Sequence, residues 1–431
     1  MLRKLYFDFR DVLRAPRLGF SAKKIWVQFT GLVIGLGGYA VLAYASLLVA
    51  GSTFAEIWFN YGALPIPLAF GPSGGVANYF VGVPWYSWLI WGVGVLWGLV
   101  VALLAGTATA KLTYEQLRGN DFFSKREAWR FARKNAAAVV LSPVGLAILA
   151  AGLVFGGLVI GWFASWGAVS AWITAAIFPV IIGVTVFTLY LAVIIVVGVV
   201  IAPAVVATTK NDTFETIFEL FSTVAAQPWR LFLYEFLLCL ATMIAFGIFL
   251  VFILFALKVM KMVFGVWWGT DFTQYVLPQA QHYTHSFLRV PVDAAQVCVN
   301  RFLFCCQHQG VAPWLLLGNI PGVWWLLAPQ TYSFIPVQPA AGLHVASIIL
   351  AVGLIGLIGI LASYLLATCQ AGQTLIYVAL RKKKDDENIL ERRDYDEEFP
   401  EFEVPEDLDK GEKPAEAGEK PKDEGKKGEK E

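Results

Sequence analysis

Long apolar stretches alternate along the chain with short segments dense in Lys and Arg. Six stretches, near 27–50, 86–108, 137–162, 172–202, 231–257 and 343–379, carry almost no charge. A bilayer core takes roughly 20 apolar residues per helix, and each stretch meets that length, so six membrane-spanning helices are predicted. The fourth and sixth are long enough to tilt or to project past the hydrocarbon.

Between spans the pattern changes to that of an amphipathic helix. In "SKREAWRFARKN", Ser124 and Glu127 have the spacing of a capping box, which predicts a short helix running into the third span. In "NDTFETIFELFSTVAAQPWR", Asp212 and Glu215 repeat that spacing, and Phe214, Ile217, Phe218 and Phe221 recur at helical intervals. This predicts one apolar face, with Glu215, Thr216, Glu219 and Thr223 lining a polar one. Residues 1–26 are read the same way, with Leu5, Phe9, Val12 and Leu13 beneath a face of Lys and Arg. All three helices are expected to lie along the inner headgroup layer, with Phe214, Ile217, Phe218 and Phe221 as lipid-interface residues. The order span, surface helix, span occurs twice, over 86–162 and 172–257, and suggests a distant internal duplication.

Composition places the chain in the membrane class: 58% of residues are hydrophobic and 15% charged. Its net charge of +1 hides a strong segregation. Seven basic residues precede the first span (Arg3, Lys4, Arg10, Arg14, Arg17, Lys23, Lys24), and seven lie in 109–136 (Lys111, Arg118, Lys125, Arg126, Arg130, Arg133, Lys134). The segments 51–85 and 163–171 have no Lys or Arg. Basic connections stay in the cytoplasm, so both termini are expected inside. No cleavable signal peptide is expected, because the first 25 residues are basic and lack an apolar segment. Beyond the last span, 391–409 holds ten acidic and two basic residues, and from 410 onward there is no hydrophobe larger than Ala. Such a sequence cannot bury enough apolar surface to offset its chain entropy. The division is therefore an amphipathic helix at 1–26, a six-span unit at 27–380 with an outer loop at 260–340, and a charged, disordered cytoplasmic tail at 381–431. The tail is read first as a solubilising, self-repelling segment, the sharper alternative being that Tyr395, Phe399 and Phe402 dock on a basic soluble partner.

Little in the chain looks like chemistry. Within the spans, Glu235 and His344 are the ionisable residues, each near an expected interface. Glu235 lies five residues after Arg230 and is expected to pair or snorkel at the surface, the sharper alternative being a proton-relay or headgroup role. Cys298, Cys305, Cys306, His282, His285 and His308 cluster in the outer segment. His282 and His285 could share a helix face, and with Cys305, Cys306 and His308 they are the candidate metal ligands. Adjacent cysteines diverge, Cys packs as a small hydrophobe, and an oxidising exterior favours disulfides. Interfacial packing is the favoured reading, a disulfide the next and a metal the last, so neither metal nor cofactor is expected. "GPSGG" at 71–75 resembles the nucleophile motif of rhomboid proteases, but Ser73 lies in an outer loop rather than at the head of a span, so a Gly/Pro turn explains it. The apolar run 311–328 is read as a re-entrant or surface element, since a seventh crossing would put "RKKK" outside.

Glycines supply packing signals: Gly31 with Gly35, Gly152 with Gly156, and Gly157 with Gly161 are four apart, and Gly353, Gly356 and Gly359 three apart. Small residues at these spacings let helix backbones approach closely, within one bundle or between copies.

The blocks "RDVLRAPRLGFSAKKIW" at 10–26, "REAWRFARKNAAAVVLSPVG" at 126–145, "DTFETIFELFSTVAAQPWRLFLY" at 212–234 and "QTLIYVALRKKKDDENI" at 373–389 resemble recurring segments of an uncharacterised family of bacterial multi-pass membrane proteins. The resemblance implies a six-helix membrane protein and brings no activity with it. Together the readings predict an all-α polytopic protein of a bacterial inner membrane with cytoplasmic interfacial helices. Such a protein is expected to be non-enzymatic, binding membrane lipids, a protein partner or a second copy through glycine-rich faces, and no nucleic acid. The alternative is a transporter or permease for a neutral or lipid-like solute, and the last an outer-face enzyme using the Cys/His cluster. Single-cysteine labelling of intact cells should reach 51–85 and 260–340 from outside and spare 109–136, 209–230 and both termini; outside labelling of the tail overturns the orientation.

Overall fold

The computed structural model describes residues 5–66, 68–70, 76–78, 83–288, 341–386 and 388–391. Two short helices, α1 (Phe9–Val12) and α2 (Ala15–Gly19), precede the first span, α3 (Ala22–Val49). Helix α4 (Phe54–Tyr61) and an antiparallel pair, β1 (Leu68–Phe70) and β2 (Val76–Asn78) with Ala69 opposite Ala77, lead to α5 (Trp85–Arg118). Then come α6 (Lys125–Lys134), α7 (Ala136–Ala164), α8 (Ala168–Ala176), α9 (Phe178–Thr209), α10 (Thr213–Ala226) and α11 (Pro228–Thr270). A π-helical turn at Asp271–Val276 joins α11 to α12 (Leu277–Phe287), and α13 (Ala341–Asp385) closes the bundle. Six of these helices, α3, α5, α7, α9, α11 and α13, are long and apolar enough to cross a membrane. The protein is thus built as a multi-pass, predominantly helical membrane protein, and each expected span lies largely within one of the six, the fourth (172–202) beginning instead in α8 and crossing the break at Ile177.

The spans alternate in direction, which gives the bundle two unlike ends. At the basic end, Lys23 Nζ donates to the carbonyls of Asp121 and Phe123 at 2.8 and 3.3 Å, and Lys383 meets Asp8. At the opposite end Tyr44 OH donates to the Gly62 carbonyl at 2.6 Å, and the Trp58 and Phe287 rings meet edge to face at 6.3 Å.

Packing is concentrated at the basic end. Three helical segments are buried on every side there: Ala105–Glu115 of α5, Ile201–Thr208 of α9 and Ala371–Leu380 of α13. A helix buried all round is a protein core, in a bilayer as in water. The close approaches use small residues. A side chain at Gly31 would come within 2.5 Å of Ala105 Cβ, and one at Gly19 within 2.6 Å of the Thr368 backbone. Gly35 and Gly359 also meet neighbours, Val101 and Phe29, as the glycine spacing predicts. Gly152, Gly156, Gly157, Gly161, Gly353 and Gly356 have no described atom near the position of a Cβ.

Several boundaries move. Expected loop residues 109–118 continue α5 as buried helix, where Lys111 and Glu115 pair at 2.8 Å with both side chains 6% exposed. Their charges masked the span in sequence, but mutual pairing and protein burial supply what lipid could not. The chain also stays in the bundle past 380: Ile389 and Leu390 are buried, and Tyr114 OH donates to the Ile389 carbonyl at 3.1 Å. Residues 392–431, most of the expected tail, lie outside those described. The continuous helix expected at 1–26 is instead broken. Asp11 Oδ2 accepts from the backbone N–H groups of Tyr6 and Phe7, both at 2.7 Å, while Val12, Ala15 and Leu18 pack into the bundle and Phe9 and Leu13 stay exposed.

The connecting helices divide. At α6 the capping box forms in full: Glu127 N–H donates to Ser124 Oγ at 3.2 Å and Ser124 N–H to Glu127 Oε2 at 2.8 Å. That backbone donor holds the Glu127 carboxyl below the usual carboxylate range. At α10, Asp212 is the N-cap without a side-chain bond, so no box forms. The predicted polar face of α10 also turns inward, with Thr216, Leu220, Thr223 and Val224 buried; Ile217 and Phe221 pack at the edge, and Phe214 and Phe218 are left 77% and 71% exposed. A helix on a bundle meets protein, water and lipid, three surroundings that a two-way apolar/polar reading cannot separate. The short threonines fill the protein side, and each can return its hydroxyl to the helix backbone, as Thr216 does at 2.8 Å.

Glu219, expected on the water-facing side, is 12% exposed, with Oε2 2.7 Å from Arg381 and Oε1 3.5 Å from Lys384. Glu219→Gln should lower the thermal midpoint in detergent, with a loss of about 1.5–3 kcal/mol, the value of a hydrogen bond to a charged group. Glu215→Gln, on the exposed side, should stay within about 0.5 kcal/mol of wild type; equal effects would mean that α10 does not dock through Glu219.

Candidate functional site

The opposite end opens where the basic end closes. Here α11 runs on to a kink at Gly269, whose φ of 63° suits a residue without a Cβ. The π-helical turn then sends α12 back against α13, with Leu277, Ala280, Gln281 and Thr284 on the packed face. The turns of α12 left over face α4 and the start of α13. Between them lies a cavity of about 880 Å³. Its rim carries Trp58 and Phe59 of α4, His282, Tyr283 and His285 of α12, and His344 of α13. Its floor is aliphatic, Ile348, Ala351, Val352 and Ile355, running along α13 into the span. Tyr283 OH is 3.3 Å from the His344 ring nitrogens, and the two rings meet edge to face at 5.8 Å.

His282 and His285 therefore do share one cavity, as their spacing suggested, and a third histidine joins them across 59 residues of sequence. His344 was legible as an ionisable residue near an interface; its neighbours Trp58 and Phe59 left no signal beyond apolarity. Among the described residues no three His, Cys, Asp or Glu are grouped to hold a metal. Cys298, Cys305, Cys306, His308, Ser73 and the run 311–328 lie outside the described residues.

A second polar feature lies inside the bundle, between α11 and α13. Arg230 does not take Glu235, for its guanidinium donates to Gln227 Oε1 at 3.3 Å. The Glu235 side chain turns inward, and its Oε2 accepts from Gln373 Nε2 at 2.7 Å. Glu235 Oε1, Gln370 Oε1 and Gln373 Oε1 are buried with no hydrogen-bond partner among the described residues. Helix α13 approaches so closely here that a Cβ at Gly372 would lie 2.1 Å from the Leu238 side chain. The reading of Glu235 as a surface residue thus fails on geometry. Position along a span does not report rotation about its axis, and the partner is a neutral amide that a scan for charge passes over. A buried carboxyl facing an amide is a hydrogen-bonding pair in either protonation state.

No family model, no curated protein and no solved structure matches the chain, so the reading rests on the residues of this chain. Glu235→Gln keeps an acceptor for Gln373 and should leave the thermal midpoint close to wild type. Glu235→Leu strands a buried amide and should cost about 1–3 kcal/mol, read as a lower midpoint. Loss of the same size in both variants would show that the ionised carboxylate, not the hydrogen bond, holds the two helices.

Proposed function

We propose that the protein is a non-enzymatic component of a bacterial inner membrane that holds an amphiphilic molecule, a lipid in the first instance, in the cavity among α4, α12 and α13. The observation that carries this reading is the shape of that cavity. At about 880 Å³ it falls within the size range of ligand sites, and its polarity is graded along the bundle axis. Histidines, Ser286 and tryptophan stand at the rim, where headgroups lie, and Ile348 to Ile355 descend along the span, where acyl chains lie. The segregation of Lys and Arg supports cytoplasmic termini, and with them a cavity that opens at the outer face. A role in membrane organisation fits such a binder, with the open glycine faces of α7 available to a protein partner or a second copy.

A transporter for a neutral or lipid-like solute is the second reading, and it is favoured by the Glu235 and Gln373 pair. An ionisable residue held inside a span is a functional-site candidate by default.

Purification of the full chain in mild detergent, followed by mass-spectrometric identification of retained lipid, tests the first reading. Ile348→Trp and Val352→Trp fill the aliphatic floor from exposed positions and should reduce retained lipid by about tenfold, in keeping with the loss of roughly one buried acyl segment. Unchanged lipid in both variants sinks the cavity reading. Solute uptake into proteoliposomes that Glu235→Leu abolishes would favour the transporter.

A further inference from the structure

A second groove, of about 730 Å³, lies at the basic end between the start of α3 and the connecting helix α6. Its cations come from α6: Lys125, Arg126, Arg130 and Arg133. Arg126, Arg130 and Arg133 follow at i, i+4 and i+7, so they share one exposed face and span about 10 Å along the helix. None of the three makes an ion pair or hydrogen bond among the described residues. Glu127, the one carboxylate in the lining, already accepts from the Ser124 backbone. Glu127 therefore offsets part of the charge, chiefly at Arg130, and four cations against one carboxylate leave the groove positive.

Position is set from the other side of α6. Ala128 and Ala132 are fully buried against Val27, Ala108 and Leu112, which seats α6 across the head of α3 and α5. That seat puts the arginine face above Trp26, Thr30 and Ile34, which line the same groove at i, i+4 and i+8 on α3. Trp26 and Ile34 are each about half exposed, and Lys125 Nζ sits 5.0 Å from the Trp26 ring centroid. The order from the end of the bundle inward is thus guanidinium, aromatic ring, hydroxyl, aliphatic chain. This is the polarity order of one phospholipid: phosphate, glycerol and ester region, acyl chain.

We propose that this groove is a binding site for an anionic phospholipid of the leaflet at the basic end. The headgroup phosphate lies against Arg126, Arg130 and Arg133, and one acyl chain lies along Trp26, Thr30 and Ile34. Inorganic phosphate would engage only the upper half. The site is separate from the cavity at the opposite end and does not rest on its reading.

Native mass spectrometry of the full chain in neutral detergent, titrated with phosphatidylglycerol, phosphatidylcholine or inorganic phosphate, tests this. Wild type should bind phosphatidylglycerol at least about tenfold more tightly than phosphatidylcholine, more weakly as salt is raised, and with no effect of competing phosphate at the same concentration. The triple variant R126Q/R130Q/R133Q, whose changes leave the buried alanine face intact, should lose about a hundredfold in affinity, the amount expected for three basic side chains at a headgroup surface. Lys134→Gln, on the same helix but outside the groove, should change little. Equal binding of the two lipids by wild type overturns the proposal without reference to any variant. Displacement by phosphate would assign the site to a free anion and overturn the lipid, and unchanged binding in the triple variant would place the lipid elsewhere.

Discussion

Everything in this fold depends on helical segments that protein encloses on every side. Over Ala371–Leu380 of α13 every residue is buried, and Ala105–Glu115 and Ile201–Thr208 are in the same condition. Three such segments can coexist only if other helices enclose them, and the enclosing elements are the ones a membrane protein could otherwise omit. Helix α2 lies on α13 where Gly19 meets Thr368, and α10 lies between α7, α9 and the end of α13. The connecting helices are thus walls of the core at the basic end before they are contacts with the membrane surface. Among the described residues the opposite end has no comparable centre, and α4, α12 and α13 leave a cavity between them.

The closed half is also the polar half. Lys111 pairs with Glu115, Gln28 donates to Thr109 Oγ1 at 2.9 Å, Lys24 to the Leu18 carbonyl at 2.9 Å, and Gln373 to Glu235. In hydrocarbon such groups would be costly, and in water they would contribute little because they would already be solvated. Enclosure by protein removes both alternatives and makes each pair directional. Apolar contact between spans has little preference for one rotation, since lipid tails match leucine in polarity. Hydrogen bonds at fixed positions on α3, α5, α11 and α13 select one rotation for each helix, so the polar pairs specify the arrangement that the glycine contacts allow.

How much of this the sequence reveals follows from what each signal encodes. Hydrophobic length finds a span wherever lipid surrounds it, so all six were legible. It fails where protein surrounds the helix, and so 109–115 read as loop, and Ile389 and Leu390 as tail, although they are core. Capping chemistry is local, and Ser124 with Glu127 formed the box its spacing predicts. The same spacing at Asp212 and Glu215 did not, because Thr216, Leu220, Thr223 and Val224 draw that helix into the bundle. Amphipathic patterning separates apolar from polar and cannot say which polar face meets water, so Glu219 was placed outside and stands against Arg381. Of the cavity, His282, His285 and His344 were visible as residue types. Their convergence depends on the turn after Gly269, which no periodic pattern announces.

The same asymmetry governs what the two ends can do. A ligand site needs room and a wall that keeps its shape when the room is empty. At the cavity the wall is α13, held there by Ala351 and Leu354 against Leu254 and Leu257 of α11 and Ala280 of α12, so its floor from Ile348 to Ile355 keeps its place. At the basic groove the wall is α6, held by Ala128 and Ala132 against α3 and α5, and the cations stand on the opposite face where packing does not consume them. Had α6 been seated through its arginines, as α10 is through Glu219, the charges would have been spent on the fold. Alanine at the seat leaves Arg126, Arg130 and Arg133 available to something outside the chain, and the apolar stripe of α3 below them selects an occupant that is half charged and half hydrocarbon.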